Sequence, residues 1–256
     1  ARDITAARAS GKIAALIGIE GGHAIEDSLR VLRGFHALGA RYMTLTHANT
    51  NNWADSSGDL EKPDVKHHNG LTGFGREVVR EMNRLGMLVD VSHVSDKTFW
   101  DVIEIAAAPP VATHSSCRAL SNIPRNMSDE MIRALARKGG VICINFGCEF
   151  VSQKSADGSS WIHPELGRRA RMPRAALADV VAHIRHVAKL AGVEAVGIGT
   201  DFDGVSCVPV GLEDYSKMPA LTRALLEDGF SAEQIAMIYG GNTLRLMRAV
   251  ERAANR

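Results

Sequence analysis

Glu20, His93 and His114 are residues whose types could hold a metal ion, and each follows a short apolar run. One carboxylate and two neutral imidazoles form a donor set that zinc accepts, and an open fourth position would activate a water for hydrolysis. Glu20 lies in Gly18-Ile19-Glu20-Gly21-Gly22-His23, where the glycines let backbone approach closely. His93 closes Asp90-Val91-Ser92-His93, and His114 sits in Ala112-Thr113-His114-Ser115-Ser116. A lone histidine at a strand end is usually structural; two at successive strand ends point to a shared ion. His47, in Thr44-Leu45-Thr46-His47-Ala48-Asn49, is either a third ligand or a donor to a developing oxyanion. Asp201 and Asp203 alternate in Gly199-Thr200-Asp201-Phe202-Asp203-Gly204, so a strand would aim only one of them into a site. Asp201 ends the apolar run directly and is the expected proton carrier; Asp203 braces the turn. Arg125, on the loop beyond His114, has the fork geometry that grips a carboxylate. The other histidines read as structural, with His183 and His186 on the outer half of a helix.

Residues this far apart meet only if the fold brings their strand ends together. Apolar runs predict strands over Lys12–Ile19, Arg41–Thr46, Met87–Ser92, Pro110–Thr113, Val141–Phe146 and Ala195–Thr200. Between them, helical spacing runs over Ile25–Leu38, Leu71–Leu85, Asp96–Ala107, Asp129–Lys138 and Arg174–Ala191, and Ala1–Gly11 reads as a helix tail leading into the first strand. Ser128 and the Ser231/Gln234 pair are expected N-caps, the latter leading toward a further helix over Asn242–Ala253. The segment Thr50–Gly70 is a long polar loop. Strand-then-helix repetition implies parallel strands with right-handed crossovers. A closed (β/α)8 barrel, whose active site opens at the strands' carboxyl ends, needs eight strands. Six are counted, so residues 1–256 are expected to form a single barrel domain that lacks its N-terminal strands.

A chain of 256 residues with a net charge of +1 has an ordinary globular composition, with no bias toward nucleic acid or an anionic surface. No apolar run is long enough to span a bilayer. The four cysteines, Cys117, Cys143, Cys148 and Cys207, lack zinc-type spacing and are expected as buried thiols, without disulfides. Thiols favour a reducing compartment, so a cytoplasmic location is the expectation.

Taken together, these segments resemble the renal-type membrane dipeptidase family, the M19 peptidases of the amidohydrolase superfamily. The resemblance rests on the motifs around Glu20, His47, His93, His114 and Asp201, with Leu71-Thr72-Gly73-Phe74-Gly75, Arg118 to Asn126, Gly211-Leu212-Glu213-Asp214 and Gly241-Asn242. It implies a barrel enzyme that cleaves dipeptides, tolerates a D-residue at the C-terminal side and forms a homodimer. It also implies two zinc ions sharing a hydroxide, with Glu20 bridging them and His93 and His114 holding the second. His47 would polarise the scissile carbonyl, Arg125 would anchor the terminal carboxylate and Asp201 would shuttle the proton. The family's His-x-Asp pair for the first zinc does not precede Glu20 here, which suggests a fragment. Two alternatives stay open: another amidohydrolase reaction such as N-acyl-amino-acid deacylation, and a non-catalytic binding barrel.

Overall fold

Short apolar strands alternate with amphipathic helices along the chain, and the computed structural model, which describes residues 1–167 and 171–254, arranges the strands as one parallel sheet flanked by helices. The strands are β1 (Ile17–Glu20), β2 (Ala40–Thr44), β3 (Leu88–Asp90), β4 (Val111–Ser115), β5 (Val141–Ile144) and β6 (Val196–Ile198). They are hydrogen-bonded in sequence order, β1 to β6. Glu20 pairs with Thr44 and Thr44 with Asp90, so successive strands end in register. The helices are α1 (Arg2–Ala9), α2 (Leu29–Ala37), α3 (Gly73–Leu85), α4 (Asp96–Ile105), α5 (Asp129–Arg137), α6 (Cys148–Val151), α7 (Gln153–Asp157), α8 (Leu177–Ala191), α9 (Met218–Glu227), α10 (Ala232–Ala236) and α11 (Asn242–Ala254).

All six expected strands are present, and all but β4 are shorter than expected. The run Lys12–Leu16 is not strand: Ile13 is 98% exposed, and β1 begins only at Ile17. Its apolar residues have no neighbouring strand among the described residues, so burial does not reward extension there. The last strand stops at Ile198, which leaves Asp201 in a turn. The helix expected over Ile25–Leu38 starts at Leu29, because the Ser28 hydroxyl caps the Val31 N–H (3.4 Å) and Glu26 and Asp27 take left-handed conformations. The helix expected from Arg174 starts at Leu177, with the Asp179 carboxylate accepting from the Ala176 N–H (2.8 Å). Ser128 and Ser231 cap as expected.

The described chain falls into two compact units. The first comprises Ala1–Val111 and Thr243–Arg256, and its buried core includes Leu32, Met43, Trp53, Met82 and Phe99. The second, Ala112–Asn242, buries Ile132, Leu135, Ile142, Phe146 and Ile184. Within the second unit Cys148 and Cys207 form a disulfide, which corrects the expectation of four thiols. Separated by 59 positions, they show no local spacing that marks them as partners. Cys117 and Cys143 are buried and outside the disulfide, and the thiol argument for a reducing compartment falls away. No helix among the described residues is long and apolar enough to cross a membrane.

Candidate metal centre

β1 delivers Glu20 as its last residue, and the left-handed turn at Gly21 that follows lets the chain leave the sheet. His93 lies three residues beyond β3, itself in a left-handed conformation, and His114 stands within β4. Glu20, His93 and His114 each present one ligand atom, and these atoms lie within 4.8 Å of one another. His93 Nε2 is 3.2 Å from Glu20 Oε1. The Thr113 hydroxyl lies 2.8 Å from His114 Nδ1, so one ring nitrogen is engaged and the ring orientation is set. A carboxylate and two imidazoles at this spacing fit zinc, and three protein ligands leave a coordination position for water or substrate.

His47 stands beside this group. Its ring centroid is 4.6 Å from that of His93, and its Nε2 is 3.9 Å from Glu20 Oε2, beyond hydrogen-bond range. Half-exposed, it lines a cavity of about 370 Å³ together with His23 and Asn49.

The second unit holds Arg125 and Asp201. Arg125 is buried; Nη1 donates to Ser115 Oγ (2.8 Å) and Nη2 to the His114 carbonyl (2.7 Å), so the guanidinium is aimed by β4. Its carbon lies 5.6 Å from the Phe150 ring centroid. Asp201 has a left-handed backbone, and Asn145 Nδ2 donates to its Oδ2 (2.9 Å). Asp203 is left-handed too, so strand alternation does not decide between the two acids. What distinguishes Asp201 is its bond from Asn145, at the end of β5, a partner that the residue pattern did not reveal.

Sequence reasoning misplaced His183 and missed Glu149. His183 is fully buried, not on an outer face. Its Nδ1 accepts from the Cys117 N–H (3.0 Å), which leaves Nε2 to donate to the Val151 carbonyl (3.2 Å). Burial pushes its pKa down to about 4, so the ring is a neutral post between the segments after β4 and β5. His186 is partly buried, with Nε2 2.7 Å from Asp129 Oδ1. Glu149, on α6, is buried, and burial first, then the charge of Asp201, raises its pKa. Neither residue carries a signal in its neighbours; both are defined by tertiary packing.

The chain matches the membrane dipeptidase family, peptidase family M19, over residues 1–256. It is 41% identical over 244 residues to dipeptidase aclJ of Aspergillus oryzae, covering 95% of this chain and 53% of that protein, so it spans about half the length of that relative. The crystal structure of the probable dipeptidase PvdM from Pseudomonas aeruginosa aligns with a TM-score of 0.88 at 27% identity, covering 99% of this chain and 73% of that one. A metallo peptidase from Rhodobacter sphaeroides, liganded with a phosphinate mimic of the dipeptide L-Ala-D-Ala, aligns with a TM-score of 0.83 at 28% identity, covering 97% and 67%.

Proposed function

This chain belongs to the membrane dipeptidase family, peptidase family M19, and from that premise we propose that it is a zinc-dependent dipeptidase acting on short peptides, including those with a C-terminal D-residue. The observation that carries the reading is the convergence of Glu20, His93 and His114. The liganded relative, which holds a dipeptide mimic, supports the substrate class. The reading includes a (β/α)8 barrel as a single domain, supported by six parallel strands in consecutive order. It also includes a second zinc ion, to which Glu20 would offer its second oxygen, the one turned toward His47.

When bound, zinc supplies Lewis-acid polarisation and lowers the pKa of water toward neutrality. Glu20, His93 and His114 would hold it. His47 donates a hydrogen bond to the oxygen on which negative charge develops, a role open to a ring beyond reach of Glu20. Asp201, steadied by Asn145, takes the proton of the attacking water and passes it to the leaving amine nitrogen. Arg125, oriented by Ser115 and the His114 carbonyl, pairs with the free carboxylate, which restricts substrates to those ending one residue past the scissile bond.

The test is hydrolysis of L-Ala-D-Ala and L-Ala-L-Ala by the zinc-loaded protein, before and after chelation. Activity is expected to vanish with the metal and return on zinc addition. Activity that survives complete zinc removal overturns the reading. Faster turnover of N-acetyl-alanine than of either dipeptide would replace it with deacylation.

A further inference from the structure

The segment that leaves β5, residues 145–150, touches both Asp201 and Arg125. Asn145 Nδ2 donates to Asp201 Oδ2 (2.9 Å), and the Gly147 N–H donates to Asn145 Oδ1 (2.6 Å), which fixes the orientation of that amide. Phe150 packs against the Arg125 guanidinium. Between Gly147 and Phe150 stands Cys148, disulfide-bonded to Cys207, six positions past Asp201 (207 − 201). The two stretches stay in contact over this length. The Phe146 N–H donates to the Thr200 carbonyl (3.3 Å) and the Cys148 N–H to the Cys207 carbonyl (3.0 Å). Val205 packs on the cluster of Ile123, Phe150 and Ala156. The turn itself needs such support. Asp201 and Asp203 both take left-handed backbones, which residues with a Cβ keep only when their surroundings impose them. Asp203 and Gly204, at its tip, are exposed. A hydrogen bond from Asn145 holds one end of the turn, and a covalent bond holds the other.

We propose that the disulfide between Cys148 and Cys207 is a positioning device for the reaction: it clamps the Asp201 turn onto residues 145–150 and keeps the proton carrier in place for the leaving amine. The proposal rests on the dipeptidase reading for the role of Asp201. Arg125 keeps its own bonds to Ser115 Oγ and the His114 carbonyl, and Asn126 Nδ2 holds the Phe150 carbonyl (2.9 Å). Opening the disulfide therefore leaves the carboxylate anchor in place and acts on proton transfer. Cys148 is fully buried and Cys207 partly buried, so a reductant reaches the pair at Cys207 Sγ. A phosphine attacks that sulfur and Cys148 departs as a thiolate. Water then supplies the oxygen of the phosphine oxide and the protons that leave two thiols.

The test follows hydrolysis of L-Ala-D-Ala by the zinc-loaded protein before and after reduction with tris(2-carboxyethyl)phosphine. Reduction is expected to lower kcat about tenfold with KM unchanged within about twofold, part of the roughly 10²–10⁴ that a well-placed acid–base group contributes. Zinc content should be equal in both states, and reoxidation should restore the rate. The thioester analogue, with sulfur in place of the scissile nitrogen, expels a thiolate that leaves without a proton, so its kcat should fall far less. Cys148→Ser/Cys207→Ser should match the reduced wild type and ignore the phosphine. An unchanged kcat overturns the proposal. So does an equal fall for peptide and thioester, the result of a merely loosened fold. Hydrogen exchange read by mass spectrometry reports the clamp without turnover: amides over residues 201–207 should exchange faster on reduction while β4 and β5 stay protected. Unchanged exchange over 201–207 overturns the proposal on its own. Faster exchange there with no hydrolysis of any dipeptide would sink the dipeptidase reading while leaving the clamp on Asp201 standing.

Discussion

At the scale of single residues, His47 and His183 make opposite predictions. His47 is half-exposed and stacks near His93 without reaching Glu20, so its removal should spare metal binding. His47→Ala is expected to keep the wild-type zinc content, measured by elemental analysis, and to lose roughly 10²–10³ in kcat, the usual effect of one oxyanion donor. Loss of zinc in that variant would instead make His47 a ligand. His183 acts on stability. Its folded pKa of about 4 lies below its ordinary 6.5, so between these values the unfolded chain binds more protons. The contribution is full above about pH 6.5 and is lost as pH falls toward 4, amounting to about 3 kcal/mol in all. Urea unfolding across that range should show the decline, and His183→Gln should flatten it. Glu20, His93 and His114 were legible because each follows an apolar run, a position that places it at a strand end before any coordinates exist. The outward placement expected for His183 failed because helical spacing alone does not say which face a neighbouring loop will cover.

At the scale of elements, the tie between α6 and the loop after β6 invites a direct measurement. Closing a span of 59 residues restricts the unfolded chain enough to stabilise the fold by about 4 kcal/mol in the chain-entropy picture. A Cys148→Ser/Cys207→Ser double variant should unfold at lower urea by about that free energy, and reductant should move only the wild type. An unchanged midpoint would show that the bond is not formed in solution. The strands and longer helices were readable from periodicity and from caps such as Ser128, whose hydroxyl accepts from the Met131 N–H at 3.3 Å. The short helices α6 and α7 were not, since four or five residues carry no period to detect. The first strand was drawn too long for a related reason. Ile13 and Leu16 look like strand interior in sequence, yet they lie exposed.

At the scale of the whole molecule, the six described strands follow one another through the sheet in chain order, β1 to β6, an arrangement already legible in the strand-then-helix repetition. The division of the chain has a consequence for its biosynthesis. The unit formed by Ala112–Asn242 is continuous, whereas Ala1–Val111 shares its unit with Thr243–Arg256. A ribosome adding about 5–20 residues per second needs roughly 7–26 s to cross the intervening 131 positions (242 − 112 + 1). For that interval the earlier-made portion waits without its closing helix, exposed to chaperones and proteases, while the later-made portion can already complete itself.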